Sequence, residues 1–458
     1  MNPELQRNLW LELTPRRVIL MAAVLGLIFL AFSLAEGRNG LYVAAEYSFY
    51  AIVVVWGARD AAQAVVGEIR DRTWDSQRLS ALGAWQMTWG KLLGATSYAW
   101  FGGIICLAAL VGVAFLNVGP LHAISDFFYF LSMGLMAQAV AFFASLLAVR
   151  RRQIHSRFDI FFYQLAGVVA AWCVWWVWQT AAPGGAVMPD QTLAIDHISW
   201  WSLVVDARVF YLTSMAVFLV WAFVGCYRLM RTELMWQNGP GVWTGFVVFM
   251  AIYVAGFDSW LTPQPGMPAP EPVATRLMIA AATCAILAYL AILWEPKDRV
   301  LYRWLGDALR SARFGALFSR LQAWMVAYMA TIVLALALIV RVALNPWPMD
   351  HPEQVIPLIV ACLGFITRDI GVFLAFAMMP GQRRGDLAAV VTLIVLYGIA
   401  PWLASNIGVA SPNAFFYPAP TTEPWFAPAI AWGEAAFAIL CAYLATRGTR
   451  PEPIAAPA

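Results

Sequence analysis

Long apolar segments recur along the whole chain and constrain its fold more than any other feature. Twelve runs of 16 to 25 residues follow one another between residues 18 and 446. A helix of about 20 apolar residues is long enough to cross the hydrocarbon core of a bilayer. We therefore predict an all-α, polytopic membrane protein with about twelve transmembrane helices. The predicted crossings are 18–35, 41–57, 92–116, 127–149, 160–181, 209–227, 242–257, 277–294, 325–344, 355–376, 387–404 and 427–446.

The low charge content excludes several classes of protein. Only 12% of the residues are charged, about half of the roughly 25% in an ordinary soluble domain. A cytosolic enzyme, a nucleic-acid binder and a disordered chain are therefore excluded. The loops leave no room for a separate soluble catalytic domain. We expect a single transmembrane domain, 1–458, which could divide into two six-helix halves, 1–238 and 239–458.

The positions of the lysines and arginines predict the orientation. If the N-terminus is cytoplasmic, four of the 29 cationic residues lie on the outer side, namely Arg38, Arg208, Arg276 and Arg341, and the other 25 lie inside. Cytoplasmic loops retain positive charge, so we predict that both termini are cytoplasmic. The membrane that fits is the inner, or plasma, membrane of a bacterium.

Neither a disulfide framework nor a metal site is expected. The six cysteines lie in apolar segments without a CxxC pair, and the pattern is typical of buried structural thiols. The four histidines are scattered over different predicted loops without ligand spacing.

Two longer segments on the predicted inner side mix charges with apolar residues. In the segment 295–324, Leu301, Leu305 and Leu309 share one helical face with other apolar residues, and Arg303 and Arg310 lie on the opposite face. We expect an amphipathic linker in the membrane interface, and docking of a partner is the alternative. The other segment, 58–91, carries a more specific pattern.

That pattern resembles the permease subunits of type 2 ABC exporters. The matching residues are Glu68, Arg72, Thr73, Trp74, Asp75, Gln77, Arg78 and Ser80, followed by Trp85, Gln86, Gly90 and Lys91. The resemblance implies that 58–91 is a cytoplasmic coupling segment that docks on a separate ABC ATPase, present in two copies. ATP and Mg would be bound by that partner, and no cofactor by this chain. We expect the charges of Glu68, Arg72, Asp75 and Arg78 to be exposed and to pack little against the rest of the chain.

A weaker, partial repeat of the pattern lies late in the chain. Arg368 and Asp369 resemble Arg59 and Asp60, and Gly385 corresponds to Gly90. With Arg383 and Arg384, the late pair could form a second ATPase contact. The alternative is an ion pair of Arg368 with Asp369 at the membrane boundary.

Other functions remain open on the sequence alone. The chain has no P-loop, because the spacing from Gly83 to Gly90 is too long and Lys91 is followed by Leu92. An ion-gradient-driven carrier would need ionisable groups within the bilayer, and Glu46 and Glu434 are the candidates. A membrane-embedded transferase would need clustered acids or histidines, which the sequence lacks. The cargo expected from the apolar composition is hydrophobic or amphipathic, and the other expected partners are membrane lipids and a second copy of the chain.

Overall fold

The computed structural model describes residues 2–80, 82–150, 157–181, 197–236, 238–262, 271–345, 352–379, 385–407, 412–419 and 423–447. These residues are almost entirely helical, and ten helical ranges among them are long and apolar enough to cross a membrane. The prediction of a helical, polytopic membrane protein is confirmed in this form. The count of twelve crossings and the side of the termini stay predictions.

The chain forms two compact units. The first contains Met1–Ser199 and Leu203–Asn238, and the second contains Trp200–Ser202 and Gly239–Ala458. Apart from the three residues 200–202, the boundary lies between Asn238 and Gly239, the same position as the division between the expected halves.

The first unit begins with a short helix and continues with long ones. Its helices are α1 (Pro3–Glu12), α2 (Pro15–Phe49), a π-helical segment (Tyr50–Trp56), α3 (Gly57–Arg70), α4 (Trp74–Arg78), α5 (Ala84–Ala95), α6 (Ser97–Asn117), α7 (Pro120–Arg150), α8 (Arg157–Ala181) and α9 (Ala207–Glu233). Between α8 and α9 lies a hairpin of β1 (His197–Trp200) and β2 (Leu203–Asp206). The side chain of Asn2 caps α1 by accepting a hydrogen bond from the Glu4 amide, 3.1 Å away, and Pro3 occupies its first turn.

The helical range from Pro15 to Arg70 is too long for one crossing. A straight helix of its 56 residues would be about 84 Å long. Gly37 interrupts it with a left-handed backbone (φ 65°, ψ −140°). A Cβ added to Gly40 would overlap the carbonyl oxygen of Phe32, although eight residues of straight helix separate two atoms by about 12 Å. The chain therefore folds back at Gly37, between the predicted crossings 18–35 and 41–57.

The π-helical segment Tyr50–Trp56 is held by side chains from other helices. Val53 lies between two glycines, because a Cβ added to Gly103 or Gly134 would lie 2.5 or 2.6 Å from its methyl groups. Gln138 of α7 donates to the Val53 carbonyl oxygen over 3.1 Å, and Gln164 of α8 donates to that of Val55 over 2.9 Å. These amides satisfy carbonyl groups within the widened turns.

The second unit contains the remaining helices. They are α10 (Gly241–Ala255), α11 (Pro272–Trp294), α12 (Arg299–Arg310), α13 (Phe314–Ser319), α14 (Ala323–Leu344), α15 (Val355–Met378), α16 (Gly385–Ile394), a second π-helical segment (Val395–Ile399), α17 (Ala400–Asn406) and α18 (Phe426–Arg447), with short 3₁₀ turns at Asp258–Leu261, Pro352–Gln354 and Pro412–Phe415. Helices α15 and α18 approach closely, because Gly364 packs on Ala431 and Gly371 packs on Ala438, and a Cβ on either glycine would lie within 3.0 Å of the facing alanine Cβ.

The amphipathic segment 295–324 forms α12 and α13 and lies wholly within the second unit. It therefore does not connect the two units. Leu305 and Ala308 of α12 are buried, whereas Arg303 and Arg310 are exposed, as the helical pattern predicts. The guanidinium of Arg303 donates to the carbonyl oxygen of Thr446 over 3.2 Å, so α12 is tied to the end of α18.

The cysteines lie in less uniform surroundings than expected. None of the six is in a disulfide. Cys106, Cys226 and Cys284 are buried, but Cys173 of α8 is exposed. The prediction of a buried structural thiol is wrong for Cys173, because an apolar run on a membrane helix has a lipid-facing side as well as a protein-facing side.

Candidate functional site

The segment 58–91 folds as a helix, a tight turn, a five-residue helix and a return helix. Helix α3 ends when the Thr73 amide donates to the Glu68 carbonyl oxygen (2.9 Å) and the Arg72 amide donates to that of Ile69 (3.2 Å). This is a Schellman motif. It places Arg72 in the left-handed region, with φ 59°, a conformation that favours glycine. The turn redirects the chain into α4.

Lys91 of α5 is the centre of the site. It is 1% exposed, and its ammonium group contacts three other helices. The Nζ atom lies 3.2 Å from Oε1 of Glu4 in α1 and 2.6 Å from Oε1 of Gln77 in α4, and it also bonds Oε2 of Glu68 in α3. The Trp74 ring lies over the same ammonium, with its centroid 5.3 Å from Nζ. All three N–H donors of the ammonium have acceptors, so this buried charge is fully paired.

A second cation balances the charge of the cluster. Arg7 Nη1 of α1 lies 3.3 Å from the Glu4 carboxylate and 3.5 Å from that of Glu68. Two cations therefore face two carboxylates. Gln77 links them further, because its Nε2 donates to Oε1 of Glu68 over 2.6 Å. Removal of one partner from such a buried network leaves an uncompensated charge, which costs about 3–5 kcal/mol.

Helix α1 reaches this cluster because two glycines let it approach α5. A Cβ on Gly90 would lie 2.6 Å from the Glu4 Cβ, and one on Gly94 would lie 2.7 Å from the Asn8 Cβ. Asn8 Nδ2 donates to the Gly90 carbonyl oxygen over 3.1 Å, and Asn2 Nδ2 donates to that of Gln86 over 2.6 Å. The close approach allows Glu4 to reach Lys91.

The matching residues of the segment divide into a buried set and an exposed set. Trp74, Gly90 and Lys91 are buried, and Glu68 and Gln77 are half-buried in the cluster. The expectation of an exposed charge is therefore wrong for Glu68, because Lys91 and Arg7 both hold its carboxylate. It is also wrong for Arg78, which is half-buried. The exposed set contains Arg72, Thr73, Asp75, Ser80, Trp85 and Gln86.

One member of the exposed set, Asp75, forms an ion pair with Arg78. The Asp75 side chain is 90% exposed, and its Oδ1 lies 3.6 Å from Nη1 of Arg78, which is 26% exposed. Leu79, which follows the last residue of α4, is 89% exposed. Helix α4 and its C-cap thus expose the carboxylate of Asp75 and the apolar side chain of Leu79.

The partial repeat of the pattern at Arg368 and Asp369 lies in a different environment from the one expected. Arg368 and Asp369 are each 2% exposed and lie near the middle of α15. Arg368 Nε donates to Asp369 Oδ1 over 3.0 Å, and its Nη1 donates to Glu434 Oε2 over 2.8 Å. The prediction of a second cytoplasmic contact is therefore wrong for these two residues, which already have partners inside the helix bundle. Arg383 and Arg384 lie outside the described residues.

Two tyrosines complete this buried network. Tyr289 and Tyr397 each donate to Asp369 Oδ2 over 2.7 Å. Tyr397 lies in the second π-helical segment, four residues before Pro401. Pro401 has no N–H for the Tyr397 carbonyl oxygen, and the hydroxyl of Tyr417 donates to that oxygen instead.

Glu46 belongs to a second polar cluster, within the first unit. Tyr50 donates to Glu46 Oε1 over 2.9 Å. Nearby, Tyr42 donates to Asp126 Oδ2 over 3.3 Å, and His122 Nε2 lies 3.8 Å from that oxygen. Sequence reasoning missed Asp126 and placed His122 on a loop, whereas both lie in the first two turns of α7. The signal was the spacing of four residues between them, which puts both on one face of a helix.

No group of three or more metal-ligating side chains occurs among the residues that the structure describes. Comparisons with protein-family models, with curated proteins and with solved structures find no match to this chain.

Proposed function

We propose that this membrane protein is the permease subunit of an ATP-driven ABC exporter in the inner membrane of a bacterium. It couples to a separate cytoplasmic ATPase, in two copies, that binds ATP and Mg. The cargo is hydrophobic or amphipathic. One observation carries the proposal: the short helix α4 lies between α3 and α5, is braced by Lys91, and with its C-cap Leu79 exposes Asp75 and an apolar side chain.

This construction suits the transmission of force. A motion of the ATPase can reach the membrane helices only if the contacted element does not yield by itself. Through Gln77 and Trp74, α4 is tied to Lys91, and through Lys91 to α1, α3 and α5. Pressure on the exposed side of α4 would therefore move four helices together.

The decisive experiment reverses the ion pair between the exposed Asp75 and the half-buried Arg78. The variant Asp75→Lys/Arg78→Glu should weaken copurification of the ATPase by about tenfold or more, because partly desolvated charge pairs at interfaces are worth a few kcal/mol. Substrate-stimulated ATP hydrolysis should be lost with it. Thermal stability of the chain should change by less than about 0.5 kcal/mol, as for other surface substitutions.

A matched control lies in the other unit. Asp307 and Arg310 of α12 have the same spacing and are both exposed, so Asp307→Lys/Arg310→Glu makes the same chemical change at another surface. It should leave ATPase copurification unchanged. Normal ATPase association and transport in the α4 variant would refute the proposal.

An ion-gradient-driven carrier is the second candidate, and the Glu46 cluster favours it. Glu46 is half-buried in a membrane-spanning helix, and Tyr50 bonds its carboxylate. Glu434 fits this role less well, because its carboxylate is paired with Arg368. Transport that persists without ATP and is abolished by Glu46→Gln would favour the carrier, whereas ATP-dependent transport with a modest effect of Glu46→Gln would favour the permease.

A further inference from the structure

Helices α12 and α13 form a hairpin within the second unit. The turn between them is closed by the Arg313 amide, which donates to the Ala308 carbonyl oxygen over 3.0 Å, and Ala312 adopts a left-handed backbone with φ 53°. At the other end of α13, the guanidinium carbon of Arg320 lies 4.5 Å from the centroid of the Trp304 ring of α12. These two contacts fold α13 back beside α12.

Helix α13 leaves its large apolar side chains uncovered. Phe314 and Phe318 are 55% and 52% exposed, and no residue of this helix is buried. Leu309 of α12, close to the turn, is 59% exposed. A helix of six residues is too short to be stable in water by itself, and exposed apolar patches mark contact sites. We therefore expect a partly apolar environment to cover this side of the hairpin.

The same stretch of chain, residues 309–320, is strongly basic. It contains three arginines, Arg310, Arg313 and Arg320, and no acidic residue. All three arginines are exposed, and among the described residues neither Arg310 nor Arg313 forms a salt bridge. Clustered cations without acidic partners attract an anionic partner. We call the exposed side chains of this stretch the 309–320 surface.

Short connections hold the hairpin at the ends of two membrane-spanning helices. Residues 295–298 join α11 to α12, and residues 320–322 join α13 to α14. Even when fully extended, the longer connection spans only about 14 Å. Gln322 Nε2 donates to the Pro296 carbonyl oxygen over 3.2 Å, which ties the two connections together. Trp294, the last residue of α11, is 41% exposed, as is typical of tryptophan at the membrane–water interface. The hairpin is therefore held at the membrane surface.

We propose that the 309–320 surface binds anionic phospholipids of the leaflet at which α11 ends and α14 begins. The two phenylalanines enter the apolar part of the interface, and the arginines face the lipid phosphates. A position in the interface requires no anionic lipid by itself, whereas three arginines without an acidic residue favour one. An acidic groove on a soluble protein would fit less well, because the short connections keep the hairpin at the membrane. The site is independent of the proposed transport function.

The experiment measures amide hydrogen exchange of the full chain in two kinds of nanodisc. One kind contains phosphatidylcholine alone, and the other also contains phosphatidylglycerol, with no ATPase present in either. Amides of residues 309–320 should exchange at least about tenfold more slowly when phosphatidylglycerol is present, because each arginine near an anionic surface contributes about a fivefold preference. Amides of α4, which is also exposed but is not proposed to contact lipid, should exchange equally in both and serve as the internal reference.

The variant Arg310→Gln/Arg313→Gln tests the charges directly. It changes two exposed side chains without salt bridges and keeps Arg320 on the Trp304 ring, so the hairpin should remain folded. Most of the difference between the two nanodiscs should disappear. Arg16→Gln/Arg70→Gln is the matched control, because it removes two exposed arginines from the first unit. The control should keep the full difference.

Three results would overturn the proposal. The first is equal exchange of residues 309–320 in both nanodiscs. The second is a slowing by phosphatidylglycerol that persists at full size in Arg310→Gln/Arg313→Gln. The third is protection of residues 309–320 that appears only when a purified ATPase is added, whatever the lipid, because the surface would then bind a protein. Since the ATPase is absent from the main comparison, its outcome does not depend on whether the chain is a permease.

Discussion

At the scale of single residues, Lys91 differs most from an ordinary lysine close to a membrane helix. Such a lysine usually extends to the interface and keeps its ammonium in water. Here the ammonium points inward and is bonded by Glu4, Glu68 and Gln77. The cluster therefore depends on the positive charge of one side chain, which a water molecule could not replace.

Lys91→Met should destabilise the first unit by about 3–5 kcal/mol, because the carboxylates of Glu4 and Glu68 lose their buried partner. Unfolding of the purified chain by heat would show the loss as a lower midpoint. In the triple variant Lys91→Met/Glu4→Gln/Glu68→Gln, part of the stability should return, because no unpaired carboxylate remains. A triple variant less stable than Lys91→Met would contradict this account.

At the scale of elements, the contact between α1 and α5 depends on the absence of side chains on α5. Gly90→Ala should cost about 1–3 kcal/mol, because the new methyl group would lie 2.6 Å from the Glu4 Cβ. Displacement of α1 should also expose the N-terminal residues to protease. Both effects are measurable on the same preparation, by thermal unfolding and by limited proteolysis.

The control substitution should act in the opposite direction. Gly67 also lies inside a helix of this segment, but a Cβ added to it meets nothing within 4 Å. Gly67→Ala should therefore stabilise α3 by up to about 1 kcal/mol. If Gly67→Ala and Gly90→Ala had the same effect, close packing of α1 could not be the reason for the glycine.

The helices were predictable from the sequence, whereas the clusters were not. Apolar length identifies a membrane helix because the bilayer imposes the same requirement on every crossing. The partners of Lys91 depend instead on α1 folding back over α5, which brings together residues that are 87 positions apart. Likewise, Glu434 and Arg368 are both candidates on the sequence alone, but only the packing of α15 against α18 places them in contact.

At the scale of the whole molecule, the asymmetric distribution of positive charge predicts a topology that can be measured directly. A reporter fused after Ala458 should be cytoplasmic, and one inserted near Gly184 should be external, because the predicted layout then leaves only Arg38, Arg208, Arg276 and Arg341 of the 29 cationic residues on the outer side. Reporter activity assays in intact cells distinguish the two sides. The opposite result would place α4 outside the cell and remove any access of an ATPase to it.

The π-helical segment Tyr50–Trp56 couples rotation and translation of the helix that follows it. A π-helical turn accommodates an extra residue, so its conversion to α-helix would rotate all that follows by about 100° and advance it by about 1.5 Å. Glu68 lies beyond the segment and Glu46 before it. A change of helical register around Val53 would therefore turn Glu68 away from Lys91 while Glu46 stayed in place. The hydrogen bond from Gln138 to the Val53 carbonyl oxygen opposes this change and keeps the segment in its present register.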